Sequence, residues 1–155
     1  MGEYHGPRWR GATTFRPEWV DSQPVRKVVR EQTVGRVLTF PSGASPLGDV
    51  AADIDVAVNP DARADLENPP FARRSFDTVY CDPPYTMYRG DQSWVQDIWD
   101  IARKRLICQT PRCRIHIPDA TKRYILVEPA PGSAQRYVTT LQVFTRRDHS
   151  LSEWA

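Results

Sequence analysis

The hydrophobic and polar positions change period several times along the chain, and each change marks an element. In PVRKVVREQT (24–33), Val25, Val28 and Val29 fall on one helical face behind a proline suited to a first turn, which predicts a short helix. RVLTF (36–40) reads as a short apolar strand, PSGASPLGD (41–49) as a loop with two glycines, and VAADID (50–55) as a second strand ending in acids. Residues 56–64 are loop or a short third strand. SFDTVYC carries a buried strand over 76–81. WVQDIWDIARKRL (94–106) spaces Trp94, Ile98, Ile101 and Leu106 for a helix. RCRIHIP (112–118) alternates as a strand. RYILVEP (123–129) and YVTTLQVFTRR (137–147) read as a terminal antiparallel strand pair joined by the turn APGSAQ. Early strands with loops, then strand–helix–strand, then the terminal pair, predict a three-layer α/β sheet. Residues 1–33 form an N-terminal arm with the short helix, and 34–155 one domain.

Composition changes this picture little. Hydrophobic content is 40% and charged content 26%, which suits an ordinary globular chain. No apolar run approaches the ~20 residues that span a bilayer. MGEYHGPRWRG lacks the apolar core of a secretory leader, so the expected location is cytoplasmic, with no membrane. Cys81, Cys108 and Cys113 form no C-x-x-C pair, and His5, His116 and His149 have no ligand spacing, so no metal site is expected. In the arm, Trp9, Phe15 and Trp19 lie among arginines. They could stack on bases; the plainer reading, that they cover core edges, is favoured.

Charge is less even than its net value of +2 suggests. Residues 40–82 hold eight acids against three arginines, and residues 103–147 hold ten bases against Asp119 and Glu128. Solvated faces would explain this. So would an acidic half gripping a hydroxyl-rich cofactor and a basic half facing phosphates.

The chemistry concentrates at the end of the 76–81 strand. Asp82-Pro83-Pro84-Tyr85 follows it directly. Two prolines stiffen the backbone, remove two amide donors and hold the preceding residue extended. That arrangement fixes Asp82 and Tyr85 in one pose. Ligands of α/β sheets sit beyond the carboxyl ends of the strands. The 41–49 loop, Asp53, Asp55, Asp65 and the Asp82 turn all follow strands, so they converge on one edge.

Asp82-Pro83-Pro84-Tyr85 after a hydrophobic strand, downstream of a glycine loop and an acidic strand end, resembles the S-adenosylmethionine-dependent amino-methyltransferases of nucleic acids. The resemblance covers roughly residues 34–147 and implies a single Rossmann-like class I methyltransferase sheet. PPFARRSFDTVYCDPPY is also similar to the wider class I pattern. The implied catalytic residues are Asp82, Pro83, Pro84 and Tyr85. Asp82 and the Pro83 carbonyl would accept the hydrogens of an adenine or cytosine amine, and Tyr85 would stack on the base. The implied cofactor residues are Thr39, Phe40, Pro41 and Gly43 of the first motif, Asp53 or Asp55 for the ribose hydroxyls, Asp65 and Leu66 for the adenine, and Asp82. Phe71 would pack near the adenine ring. Ser45 stands where the family usually has a second glycine, and Thr39 where an acid often sits. The interval from Gly43 to residue 50 is too short for the usual helix.

Tyr88 and Arg89, just past the turn, are the expected nucleic-acid contacts. Cys81 raises the rival of a cysteine nucleophile, but that nucleophile sits just after a proline in its family, and a small core residue is the better reading. A protein-glutamine methyltransferase would carry Asn rather than Asp at 82. The expected reaction is methylation of the adenine N6 amine, in DNA ahead of RNA. Cytosine N4 methylation, an RNA substrate and a non-catalytic partner subunit stand as alternatives. Only 1–33 and the loop 86–93 remain to read a target. This points to relaxed specificity, a homodimer, a specificity partner, or a single-stranded substrate. The compact form is similar to enzymes of prokaryotes and their viruses.

Overall fold

The structure is a computed structural model that describes residues 22–132 and 137–147. Its centre is a seven-stranded mixed sheet of order β3-β2-β1-β4-β5-β7-β6. The strands are β1 (Val37–Thr39), β2 (Val50–Asp53), β3 (Ala62–Arg63), β4 (Phe76–Cys81), β5 (Ala102–Thr110), β6 (Ala120–Val127) and β7 (Thr139–Arg146). The pairings from β3 through β5 are parallel, and β7 runs antiparallel between β5 and β6.

Helix α1 (Gln23–Gln32) opens with Pro24 in its first turn. Its buried Val25 and Val29 pack on Tyr80, Ile107, Val127, Leu141 and Val143, so they cover one face of the sheet. Helix α2 (Ser93–Ile101) buries Trp94, Val95, Ile98, Trp99 and Ile101. These join Leu38, Val79, Cys81, Leu106, Cys108 and Phe144 on the opposite face. Residues alternate sides along a strand, which is why Tyr80 faces α1 while Val79 and Cys81 face α2. Among the described residues each face carries one helix, so the layering is thin.

The connections are correspondingly lean. No helix forms between β1 and β2, and short 3₁₀ turns occupy Val56–Val58 and Tyr85–Arg89. Between β5 and β6, residues 111–119 cross the α2 face without a helix. Ile115 and Ile117 are buried there in the same cluster as Phe144 and Ala120.

Three expected elements change. The helix predicted over 94–106 ends at Ile101, and β5 begins at the next residue. Arg146 explains the stop. Its guanidinium lies 4.2 Å from the Trp99 ring centroid and donates to the carbonyls of Trp99 (2.9 Å) and Ala102 (3.0 Å), carbonyls that a continuing helix would need. The strand predicted over 112–118 pairs with no strand among the described residues; its alternation comes from laying every second side chain on the sheet. The strand predicted over 123–129 starts earlier, at Ala120. The arm residues Trp9, Phe15 and Trp19, and part of the APGSAQ turn, lie outside the described residues. Among the described residues no helix is long and apolar enough to cross a membrane.

Candidate active site

The carboxyl ends of β1, β2 and β4 meet at one edge, and hydrogen bonds hold them there. The Phe40 N–H donates to the Tyr80 carbonyl (2.9 Å) and the Ser42 N–H to the Ala52 carbonyl (2.8 Å). Gly43 has φ 49°, a left-handed conformation that glycine adopts without penalty. Its N–H donates to Asp53 Oδ2 (2.8 Å). Asp53 is buried at the end of β2, and its Oδ1 accepts the Asp55 N–H (2.9 Å). The acid expected to bind a ribose therefore also clamps the glycine loop to its own strand.

Asp55 is half-buried. Its Oδ1 accepts the Ala57 N–H (2.9 Å), while Oδ2 is shielded from solvent and has no hydrogen-bond partner among the described residues. Thr39 Oγ1 is likewise buried without a partner. A Cβ on Gly48 would stand 2.6 Å from that hydroxyl, so Gly48 is required where the returning chain crosses β1. Asp65 is exposed and accepts the Glu67 N–H (2.9 Å), while Leu66 belongs to the core. Phe40 is fully buried and meets Phe71 edge-on at 5.7 Å, so both rings serve packing beneath the loop. Pro41 is half-buried beside Ser42.

The Asp82 turn stands at the end of β4, the middle strand of the sheet. Pro83 is buried, Pro84 exposed, and Asp82 and Tyr85 half-buried. The Pro84 carbonyl accepts the Met87 N–H (2.9 Å), which starts the 3₁₀ turn. Trp94 Nε1 donates to the Met87 carbonyl (3.1 Å), and Gln92 Nε2 to the Tyr88 carbonyl (2.9 Å). Helix α2 thus fastens the turn from behind.

Tyr88, expected at the nucleic-acid contact, is buried. Its ring packs between Tyr85 and Trp94, and its hydroxyl donates to the Gln109 carbonyl (3.1 Å). Burial pushes its phenol far above the usual range. As placed it is a strut under the turn; Arg89 beside it is exposed. Cys81 is fully buried opposite Cys108, and burial first, then the Cys108 thiol, raises its pKa well above normal. A thiol so held is protonated and inert. Sequence reasoning did not single out Gly48 or Gln109 for the site, and it placed Trp94 on a helix face without its bond to the turn. Gly48, the second glycine of its loop, left a mark in the pattern; Gln109 left none.

No protein-family model matches the chain, and no curated protein matches it. Among solved structures, the chain is similar to a SAM-dependent methyltransferase from Aquifex aeolicus, with TM-score 0.51 and 11% identity over 85% of this chain and 100% of that one. The fold is methyltransferase-like. A possible exported protein from Bordetella parapertussis is similar over 78% of this chain and 65% of its own, with TM-score 0.49 and 12% identity.

Proposed function

We propose that the chain is an S-adenosylmethionine-dependent methyltransferase that acts on the exocyclic N6 amine of adenine, in DNA. The observation that carries this reading is Asp82-Pro83-Pro84-Tyr85 at the end of β4, beside a glycine loop tied to the acid ending β2.

The residues at this edge fit the cofactor. The unpartnered Asp55 Oδ2 is an acceptor suited to a hydroxyl, and each oxygen of Asp53 retains capacity for a second hydrogen bond. Bound there, S-adenosylmethionine would supply an electrophilic methyl group.

The remaining work falls to the chain. An adenine amine is conjugated with its ring and is a poor nucleophile. Acceptors on its two hydrogens draw the lone pair out of conjugation. The Asp82 carboxylate is one. The Pro83 carbonyl, as the family resemblance implies, is the other. Half-buried Tyr85 offers a ring for the base to stack on. The base must leave a duplex stack, or be unpaired already, to reach the turn. Rate enhancement comes largely from holding the two reactants in line.

One observation favours a second reading, a non-catalytic partner subunit: the first motif carries Ser45 where a second glycine is usual and Thr39 where an acid often sits. The test is incubation with isotopically labelled S-adenosylmethionine and duplex DNA, single-stranded DNA or RNA, then nucleoside mass spectrometry. Label on the adenine amine of DNA is expected. Label on cytosine, or only in RNA, would replace the substrate assignment. Cofactor binding with no label on any nucleic acid would favour the partner subunit.

A further inference from the structure

The crossover from β5 to β6 is built unlike the other connections. Residues 111–117 alternate between the two environments. Ile115 and Ile117 are buried and Cys113 half-buried, while Arg112, Arg114 and His116 are exposed. Two side chains fix this register. Gln142, fully buried on β7, donates from Nε2 to the Cys113 carbonyl and to Thr110 Oγ1 (3.0 Å each). Lys122 Nζ donates to the Ile115 carbonyl (2.7 Å). With the odd positions held down, the even ones are held out. Among the described residues, Arg112, Arg114 and His116 have no acidic partner. Asp119 is the sole acid between residues 102 and 127.

The row starts at the candidate active edge. Cys108 is the register partner of Cys81, the residue before Asp82, and Arg112 lies four residues further on. From there the row runs back across the α2 face for about 13 Å, at roughly 3.3 Å per residue. Beside it stands an exposed aromatic. Tyr124 of β6 is 51% exposed, and the Lys122 ammonium that holds the Ile115 carbonyl lies 4.9 Å from its ring centroid. Exposed Leu126 shares that face of β6.

Two arginines and a histidine in a row with an adjacent exposed ring are the chemistry that grips single-stranded nucleic acid, because a base can lay its ring face on a side chain only when it is out of a duplex stack. We propose that residues 111–117 and the outer face of β6 form a track for a single nucleic-acid strand leading to the Asp82 turn. Arg112, Arg114 and His116 face its phosphates, and Tyr124 stacks on a base. The inference rests on the nucleic-acid reading above and adds a preference for an unpaired strand.

The test is fluorescence anisotropy of a labelled oligonucleotide, single-stranded and as a duplex, across a salt series. The full chain would be compared with Arg112→Ala/Arg114→Ala and Tyr124→Ala variants. These side chains are exposed, so unfolding midpoints and cofactor affinity should match wild type. The wild type should prefer the single strand. The double variant should flatten the slope of log affinity against log salt by about 1.4, from ~0.7 per lost phosphate contact. Tyr124→Ala should weaken binding roughly 5- to 150-fold without changing that slope, as a lost stacking contact does. Wild-type binding matched by both variants would overturn the track and leave the proposed reaction standing. Equal or tighter binding of the duplex would also overturn it. A wild type that binds no nucleic acid would overturn the nucleic-acid reading itself, and the track with it.

Discussion

The two halves of the sheet are held together differently. Strands β1, β2 and β3 have three, four and two residues, whereas β5, β6 and β7 have nine, eight and eight. The short half offers few ladder bonds, and carboxylates supply others. Asp49 Oδ2 accepts the Val37 N–H, Asp61 Oδ2 the Ala51 N–H and Asp77 Oδ2 the Arg36 N–H, each at 2.8 Å. Asp53 does the same for Gly43 and Asp55. The long half relies on continuous antiparallel ladders and on Leu141, Val143 and Phe144 packed on its two faces. The acid excess over residues 40–82 is therefore in large part structural. The half that presents the candidate cofactor edge is short-stranded and depends on side-chain-to-backbone hydrogen bonds.

Substitutions should separate the halves. The largest loss is expected in the long half. Phe144→Ala removes a fully buried ring and should cost about 3–5 kcal/mol, read as a lower urea midpoint and with little pH dependence. In the short half, Asp53→Ala strips the partner from two backbone N–H groups and should cost about 1–3 kcal/mol. It should also weaken cofactor binding by calorimetry, while Phe144→Ala, far from that edge, should not. Equal cofactor affinity in Asp53→Ala and wild type would remove Asp53 from the site.

The smallest effect is the most diagnostic. The Arg36 N–H foremost, then Arg103, hold the Asp77 carboxyl below its ordinary range against the opposing effect of its partial burial. A folded pKa below the unfolded value of about 3.9 stabilises the protein above that pH. The contribution is lost as pH falls through the folded value. The stability gap between wild type and Asp77→Asn should therefore be constant near neutrality and shrink below about pH 4. A gap that widened on acidification would contradict this.

The strand over 76–81 and the helix near 24–33 were legible because each carries its own pattern: an apolar run bounded by a stiff turn, and valines on one face behind a proline. The convergence of Asp53, Gly43 and Asp82 on one edge followed from strand order alone. Strand β5 was not legible. Ala102 and Leu106 continue the helical spacing of α2, and what ends the helix is Arg146, distant in sequence but stacked on Trp99. The 112–118 segment misled in the opposite sense, since a chain laid across a sheet face alternates as a paired strand does. The burial of Tyr88 leaves no local pattern, since Gln109 and Trp94, which enclose it, are placed by the fold. That the Asp53 carboxylate clamps Gly43 depends on a contact ten residues apart, which spacing does not reveal.

The central claim is that the Asp82 turn carries methyl transfer. The most direct measurement is turnover of Asp82→Ala beside wild type on the nucleic acid that accepts label, with cofactor affinity measured on the same preparations. The account predicts that turnover is lost in the variant while cofactor binding is largely kept. Equal turnover in both would contradict it.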